Sequence, residues 1–399
     1  MPARPADTWS PQYFLAALGY GGLAVTFFLW LYMWVPHPGQ PVPVFEDIAA
    51  AWSKGNPVSQ TMIFAAMAGL GLFGLLHLRS MIWNLGQYAA FRRSPAHETL
   101  RNSNGGSQLF GLPLMLAMTV NVSFSMGLAF VPGLWSLIEY LFPAALLTFA
   151  LLAVMTLRMA GAHIARLSVP GRFDWSKNGS FAQVQPAFAL GMIGVGMSAA
   201  AALSANPAVA GVALILSTIL LILAALWAAV GVALGLAALL QHGAAVDGIP
   251  TLMNIVPLMA VLGILMLRQN HGLHSHFGSH TAPGDDLWLL TALLSVQLAF
   301  LGLGLSVARN HGYLRRFVTG AETSAGSYGL VCPGVGLAVI LQFWINKGLV
   351  GAGLLAKFSA AYWAVSGLAM AAQLAMIALV ILLNRKHFSA PRAAAVTTG

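Results

Sequence analysis

The chain has one cysteine, Cys332, and it stands directly before a proline in Val331-Cys332-Pro333-Gly334-Val335. A lone thiol cannot form an intrachain disulfide, so it gives no reading of redox compartment. Two roles stay open for it. A nearby cation or helix end would favour the nucleophilic thiolate, whereas without one the side chain packs as a small hydrophobe. A second set of groups is His271, His274, His276 and His280, followed by Asp285 and Asp286. Histidines at this spacing can bind a transition metal, or they can form a flexible His-rich loop with no resident ion; no metal is assigned. Haem would need axial histidines inside facing helices. Only His77 falls within an apolar segment, without an evident partner, so no cofactor is expected. The stretch from Gly69 to Gly74 matches the dinucleotide glycine pattern but lies inside an apolar run with no strand before it. It reads as a surface for close helix approach.

Neutral polar residues inside apolar segments form a third set: Asn121, Ser123 and Ser125, then Gln185 and Ser198, Asn254, and Gln342. Such groups can replace part of an ion's hydration shell or hydrogen-bond between helices. Two ionisable groups, Arg79 and Glu139, fall near segment ends, where snorkelling or a salt bridge is the ordinary expectation. No proton-relay series is visible.

Residues of these kinds need elements to hold them, and the composition says which. Of 399 residues, 58% are hydrophobic and 7% charged, against roughly 25% charged in soluble domains. Lipid is the natural solvent for such a chain. The composition does not shift along its length, so 1–399 reads as a single transmembrane domain, with an N-terminal tail over 1–12 and a cytoplasmic tail over 385–399. A crossing helix takes about 20 mostly apolar residues. Ten segments qualify: Phe14–Trp34, Thr61–Leu85, Leu109–Phe130, Trp135–Leu157, Val184–Ser204, Val209–Leu240, Thr251–Leu267, Leu287–Val307, Tyr328–Leu349 and Phe358–Leu383. The sixth is long enough to require tilt or projection. No cleavage site follows the first, which reads as a retained helix.

The net charge of +9 belongs to topology signals rather than to nucleic-acid binding, which is not expected. Arg92, Arg93, Arg101, Arg158, Arg166, Arg172, Lys177, Arg309, Arg315, Arg316, Arg385, Lys386 and Arg392 all fall on one side of a ten-helix arrangement. The other side has Lys54, Arg268, Lys347 and Lys357. The positive-inside rule then puts both termini in the cytoplasm. A repeat accompanies this pattern. Pro113, Pro186, Pro257 and Pro333 stand near the starts of odd-numbered helices, separated by 73, 71 and 76 residues. Proline within a helix frees a carbonyl and kinks the axis, and in lipid the freed group must face protein or a water-filled cavity. The expected fold is an all-α integral membrane bundle of ten helices in five repeated hairpins. Its kinked odd helices surround a central pore and its even helices face lipid.

This organisation resembles the tellurite-resistance/dicarboxylate transporter family, the TehA-like proteins, which includes the plant slow anion channels. The opening Pro11-Gln-Tyr-Phe-Leu-Ala-Ala-Leu-Gly-Tyr-Gly-Gly is similar to that family's Pro-x-x-Tyr-Phe and glycine-bearing first helix, and Glu322–Ala338 is similar to its polar approach to the ninth helix. The resemblance covers nearly the whole chain. It implies transport of a small anionic solute, five hairpins about a pore, and self-association as trimers. It also implies a gate phenylalanine in the ninth helix, where this chain has Val331 or Pro333. Cys332-Pro333-Gly334-Val335 is further similar to the TsoY family of membrane (seleno)proteins, which would make Cys332 the reactive position. The expected function is therefore a channel or carrier for an anion in the bacterial inner membrane, with lipid as its surroundings. The alternative is a membrane thiol protein acting through Cys332, and a haem or metal oxidoreductase subunit trails both.

Overall fold

A computed structural model describes Arg4, Pro5, Thr8–His280 and Ala282–Phe388. Arg392 lies outside the described residues. Among the described residues all regular structure is helical. The α-helices are α1 (Phe14–Trp34), α2 (Phe45–Lys54), α3 (Pro57–Phe91), α4 (Pro95–Arg101), α5 (Gly111–Phe130), α6 (Ile138–Leu167), α7 (Gln185–Leu203), α8 (Pro207–His242), α9 (Ile255–Phe277), α10 (Pro283–Asn310), α11 (Val331–Phe343) and α12 (Ala360–Phe388). With their adjoining turns, ten of these are long and apolar enough to cross a bilayer, and the chain is an integral membrane protein. The short α2 and α4, between spans, carry no long apolar run and were not expected.

Helix starts follow local chemistry. Proline opens α3, α4, α8 and α10, where its missing N–H would have no intrahelical partner in any case. Asn56 and Asn206 cap the ends just before Pro57 and Pro207, their side-chain oxygens accepting from Ser59 and Ala208 N–H at 2.9 Å. The prolines of the odd spans do something other than expected. Pro113, Pro186, Pro257 and Pro333 all lie in the first α-helical turn. Ahead of each runs a 3-10 segment: Asn104–Phe110, Ala182–Val184, Val246–Met253 and Ala325–Leu330. There the proline removes no mid-helix bond, so the interior kink gives way to a seam between two helix types. The first span shares the seam, with Pro11–Tyr13 as its 3-10 turn, although it has no proline within α1.

Burial separates two classes of span. In their most apolar stretch the first, third, fifth, seventh and ninth spans are 50–89% buried, and the others 17–39%. The second class exposes Leu75, Leu151, Ile219, Leu226, Leu298 and Ile381 to the surroundings, as lipid-facing helices do. Helix α1 touches α5, α5 touches α7, α7 touches α9, α9 touches α11, and α11 returns to α1, which closes a ring. Lipid tails are as apolar as the side chains, so close packing holds such helices together. Gly336 shows how close: a Cβ there would sit 2.7 Å from the Pro257 Cα. Gly69 and Gly74 likewise face Phe27 and Met126 across the helix interface, which is packing and not nucleotide chemistry.

Most spans run longer than the sequence reading, among them Pro57–Phe91 and Leu134–Leu167, and three cases bear on the site or the tail. Helix α8 runs unbroken for 36 residues, roughly 54 Å at the α-helical rise. Helix α12 continues through Arg385 and Lys386 where a tail was expected. The seventh span ends at Phe277 rather than Leu267. Its polar extension finds partners in α7 and α8: Gln269 donates to Ser217 and Thr218 hydroxyls at 2.9 and 3.0 Å, and Gly272 lies on the Ala201 backbone.

Candidate functional site

The ring of buried helices encloses a cavity of about 170 Å³. Every ring member contributes to its wall: Leu18 and Gly22 from α1, Asn121 from α5, Phe188 from α7, Pro257 from α9, and Cys332 from α11. Phe142 and Phe149 of α6 complete it. Glycines on α1 let α11 approach this wall, since a Cβ at Gly22 would sit 2.8 Å from Val335 Cγ1.

Away from the N-terminal face lies a larger vestibule of about 500 Å³. It shares Val25, Phe28, Val42, Ser125, Ile264 and Arg268 with the central cavity, so the two form one recess. Its polar wall carries His37, Asn270, His271, His274, Asp286 and Lys347. A third cavity of about 180 Å³ opens at the N-terminal face among Gln12, Asn104, Lys177, Gln183, Gln185 and Asp247. The wall between this cavity and the central one is thinnest along α1 and α7, about one helical turn, and thicker along α5 and α9, where Gly111 and Thr251 stand on one side and Met118 and Pro257 on the other. Leu15 and Gln185 line one side, and Leu18 and Phe188, three residues on, line the other, a separation of roughly 4.5 Å along the axis. All four are buried. Within the wall Asn254 Nδ2 donates to Gln185 Oε1 at 3.3 Å.

At the junction of central cavity and vestibule stands Arg268. Its Nη1 donates to the Val195 carbonyl at 2.7 Å. No other protein partner is present among the described residues. The described ion pairs are Arg101–Glu98, Lys177–Asp174 and Arg316–Glu322, all at the surface. Arg268 thus lies within the helix that forms the seventh span and makes no ion pair among the described residues, and an ionisable residue in a membrane span is a functional signal. The sequence reading missed it because ending the seventh span at Leu267 leaves Arg268 in a loop.

The other candidates sort by helix rotation. Asn121 and Ser125 line the recess. Ser123, two positions away, is exposed and donates back to Thr119 O at 2.8 Å, so it is no lining residue. Gln185 lines the N-terminal cavity. Ser198 is fully buried and donates to Val195 O at 2.9 Å. Gln342 is buried outside all three cavities beside Asn346. Pro257 touches the central cavity, whereas Pro113, Pro186 and Pro333 are buried without lining it. Gly334 faces Met376 of α12, away from the cavity. Cys332 lies on the cavity wall with 6% of its surface exposed.

The four histidines divide: His271 and His274 both line the vestibule, the His274 and His280 rings lie edge to face at 5.8 Å, and His276 turns away to α7. His274 Nδ1 meets Ser279 O at 2.8 Å and His276 Nε2 meets Ser204 O at 2.9 Å. Among the described residues no three His, Cys, Asp or Glu side chains group as metal ligands. His77, expected without a partner, ties three helices together. Its ring nitrogens meet Ala17 O and Thr119 Oγ1, both at 2.8 Å. Nor is it alone, since His163 and His387 also lie in spans. Glu139 accepts from Ser204 Oγ and Ala205 N, each at 2.7 Å, in place of the expected salt bridge.

A scan against protein-family models and searches of curated proteins and solved structures returned no significant match.

Proposed function

We propose that this protein moves a small anionic solute across a membrane, as a channel or carrier, along a path enclosed by α1, α5, α7, α9 and α11. One observation carries the reading. All five buried spans line one cavity, and that cavity opens into a vestibule whose wall holds Arg268 and Lys347 against the single carboxylate of Asp286. A transport path needs a polar lining in an otherwise apolar bundle, and its charge sets the sign of what enters.

Each inner helix also packs on the outer helix that follows it: α1 on α3, α5 on α6, α7 on α8, α9 on α10 and α11 on α12. This supports five hairpins about a central pore, the arrangement implied by the resemblance to TehA-like proteins. The arginines of the connections on the N-terminal face support a cytoplasmic placement of that face. The wall of Leu15, Leu18 and Phe188 with the Asn254–Gln185 pair inside it makes the path closed in this conformation.

A second reading has its own observation. The Cys332 side chain stands on the wall of the cavity, within reach of a solute there. A membrane thiol protein would use it. Its neighbours on the wall are apolar, however, and no cation is bonded to it, whereas reactive cysteines sit in electropositive surroundings.

Anion flux into proteoliposomes, measured for wild type and Cys332→Ser, separates the two. Transport expects protein-dependent flux that survives the substitution. Loss of flux in Cys332→Ser moves the function to the thiol. Absence of flux in both wild type and Phe188→Ala, which thins the wall, refutes transport.

A further inference from the structure

We infer that the vestibule holds an oxyanion-binding site, with the Arg268 guanidinium as its anchor and Lys347 as its second cation. The inference deepens the transport reading, and rests on it for the site's role, but binding itself is testable alone.

Arg268 carries hydrogen-bond donors that its protein contacts do not use. A guanidinium offers five N–H groups in a planar fork. Arg268 uses one nitrogen on Val195 O. Among the described residues its remaining nitrogens have no hydrogen-bond or ion-pair partner, Tyr32 lies nearby, and the residue lines both the vestibule and the central cavity. The Val195 bond fixes the fork at the mouth of the inner recess. A charge held within a span without a counter-ion costs free energy that a bound anion would offset.

Lys347 supplies the second cation by an unusual route. It lies in the π-helical stretch Trp344–Val350 that prolongs α11. Such wide turns are frequent at functional sites, although a second one, Leu314–Thr319, lies away from the three cavities. The Lys347 Nζ sits 5.7 Å from the Tyr32 ring centroid, a cation–π contact that holds the ammonium at the vestibule wall. Among the described residues no carboxylate forms a salt bridge with it, although Asp286 lies near enough to feel its charge. On the vestibule wall Arg268 and Lys347 stand against the one carboxylate of Asp286, an excess of one positive charge among the permanently charged types. That balance suits a monoanion. The planar fork suits an anion with two coplanar oxygens, a carboxylate or an inorganic oxyanion such as nitrate, over a spherical halide. Asn270 and His271 on the same wall can donate to the remaining oxygen.

The test is calorimetric titration of the purified full chain in phosphatidylcholine nanodiscs with sodium nitrate, and with sodium chloride as the spherical comparison. Wild type is expected to bind nitrate saturably and chloride more weakly. Arg268→Gln should weaken nitrate binding by roughly tenfold or more, the loss of a charge-assisted bond. Arg268→Lys should fall between, and Lys347→Gln should weaken binding less than Arg268→Gln. Lys54→Gln, at the exposed end of α2, should change nothing. Repeating the titration with phosphatidylglycerol present distinguishes the source: an unchanged affinity points to free solute, and competition points to a lipid phosphate on the same fork. Nitrate binding unaffected by both Arg268 substitutions, no saturable binding to wild type, or chloride bound as tightly as nitrate would each overturn the proposal. Binding without flux sinks transport and keeps this site; flux with binding indifferent to Arg268 sinks this site alone.

Discussion

Phe188 stands in the thin wall between the central and N-terminal cavities, 2% exposed and one helical turn from Gln185 on the other side. Replacing it with alanine removes a ring far larger than the roughly 30 Å³ that one water molecule occupies in the liquid. The space created lies between cavities of about 170 and 180 Å³, so water would reach further into the wall and the dry barrier would shorten. A constriction walled by apolar side chains blocks ions by excluding water. Lowering that barrier by only about 1.4 kcal/mol raises flux about tenfold. The same change costs stability. A buried Phe→Ala change costs about 3–5 kcal/mol, and the lower end applies here because one side of the ring already faces a cavity. The assay is anion efflux from proteoliposomes carrying equal amounts of wild type, Phe188→Ala and Phe188→Leu. We expect at least a tenfold rise for alanine and little change for leucine, which keeps an apolar plug in place. Equal flux from wild type and Phe188→Ala, with both proteins incorporated and folded, would refute the assignment of the barrier to this wall.

Two further predictions concern packing and surface charge. Gly336→Ala would place its Cβ 2.7 Å from Pro257 Cα and force α9 and α11 apart, at a cost of about 1–3 kcal/mol. Gly86→Ala meets nothing within 4 Å and should be neutral or stabilising by up to about 1 kcal/mol; thermal unfolding in detergent that ranks the two equally would contradict the packing argument. On the N-terminal face, Arg316 donates to Glu322 through Nε and Nη2 at 2.9 and 2.8 Å, and these bonds hold the Glu322 carboxyl below its ordinary value. A depressed value in the folded protein means that the contribution is present above the ordinary glutamate range and is lost as pH falls through the lowered value. Hydrogen exchange across residues 314–322, corrected for its intrinsic pH dependence, should show protection fading only on that acidic side. Glu322→Gln should abolish the dependence, and an unaltered profile would show that the pair does not order the segment.

What the sequence determined by itself was set by the solvent. A chain with so few charges must bury its backbone polar groups in helices, and the thickness of the bilayer sets their length, so ten apolar helices could be counted from composition and run length. Helix starts were legible wherever proline or asparagine marks them, as at Asn56-Pro57 and Asn206-Pro207. Tertiary structure decided the rest. Helix α9 continues past Leu267 because Gln269 and Gly272 find partners on α8 and α7, and hydropathy along a single chain contains no record of such partners. That continuation is what brings Arg268 into the recess. Asn121 and Ser123 are equally polar, yet one lines the cavity and the other is exposed, a matter of helix rotation alone. A soluble helix would have announced its rotation through an amphipathic stripe. Here lipid and protein interior are both apolar, so the buried helices are hydrophobic all round, and which face looks inward is chosen by close packing between neighbours.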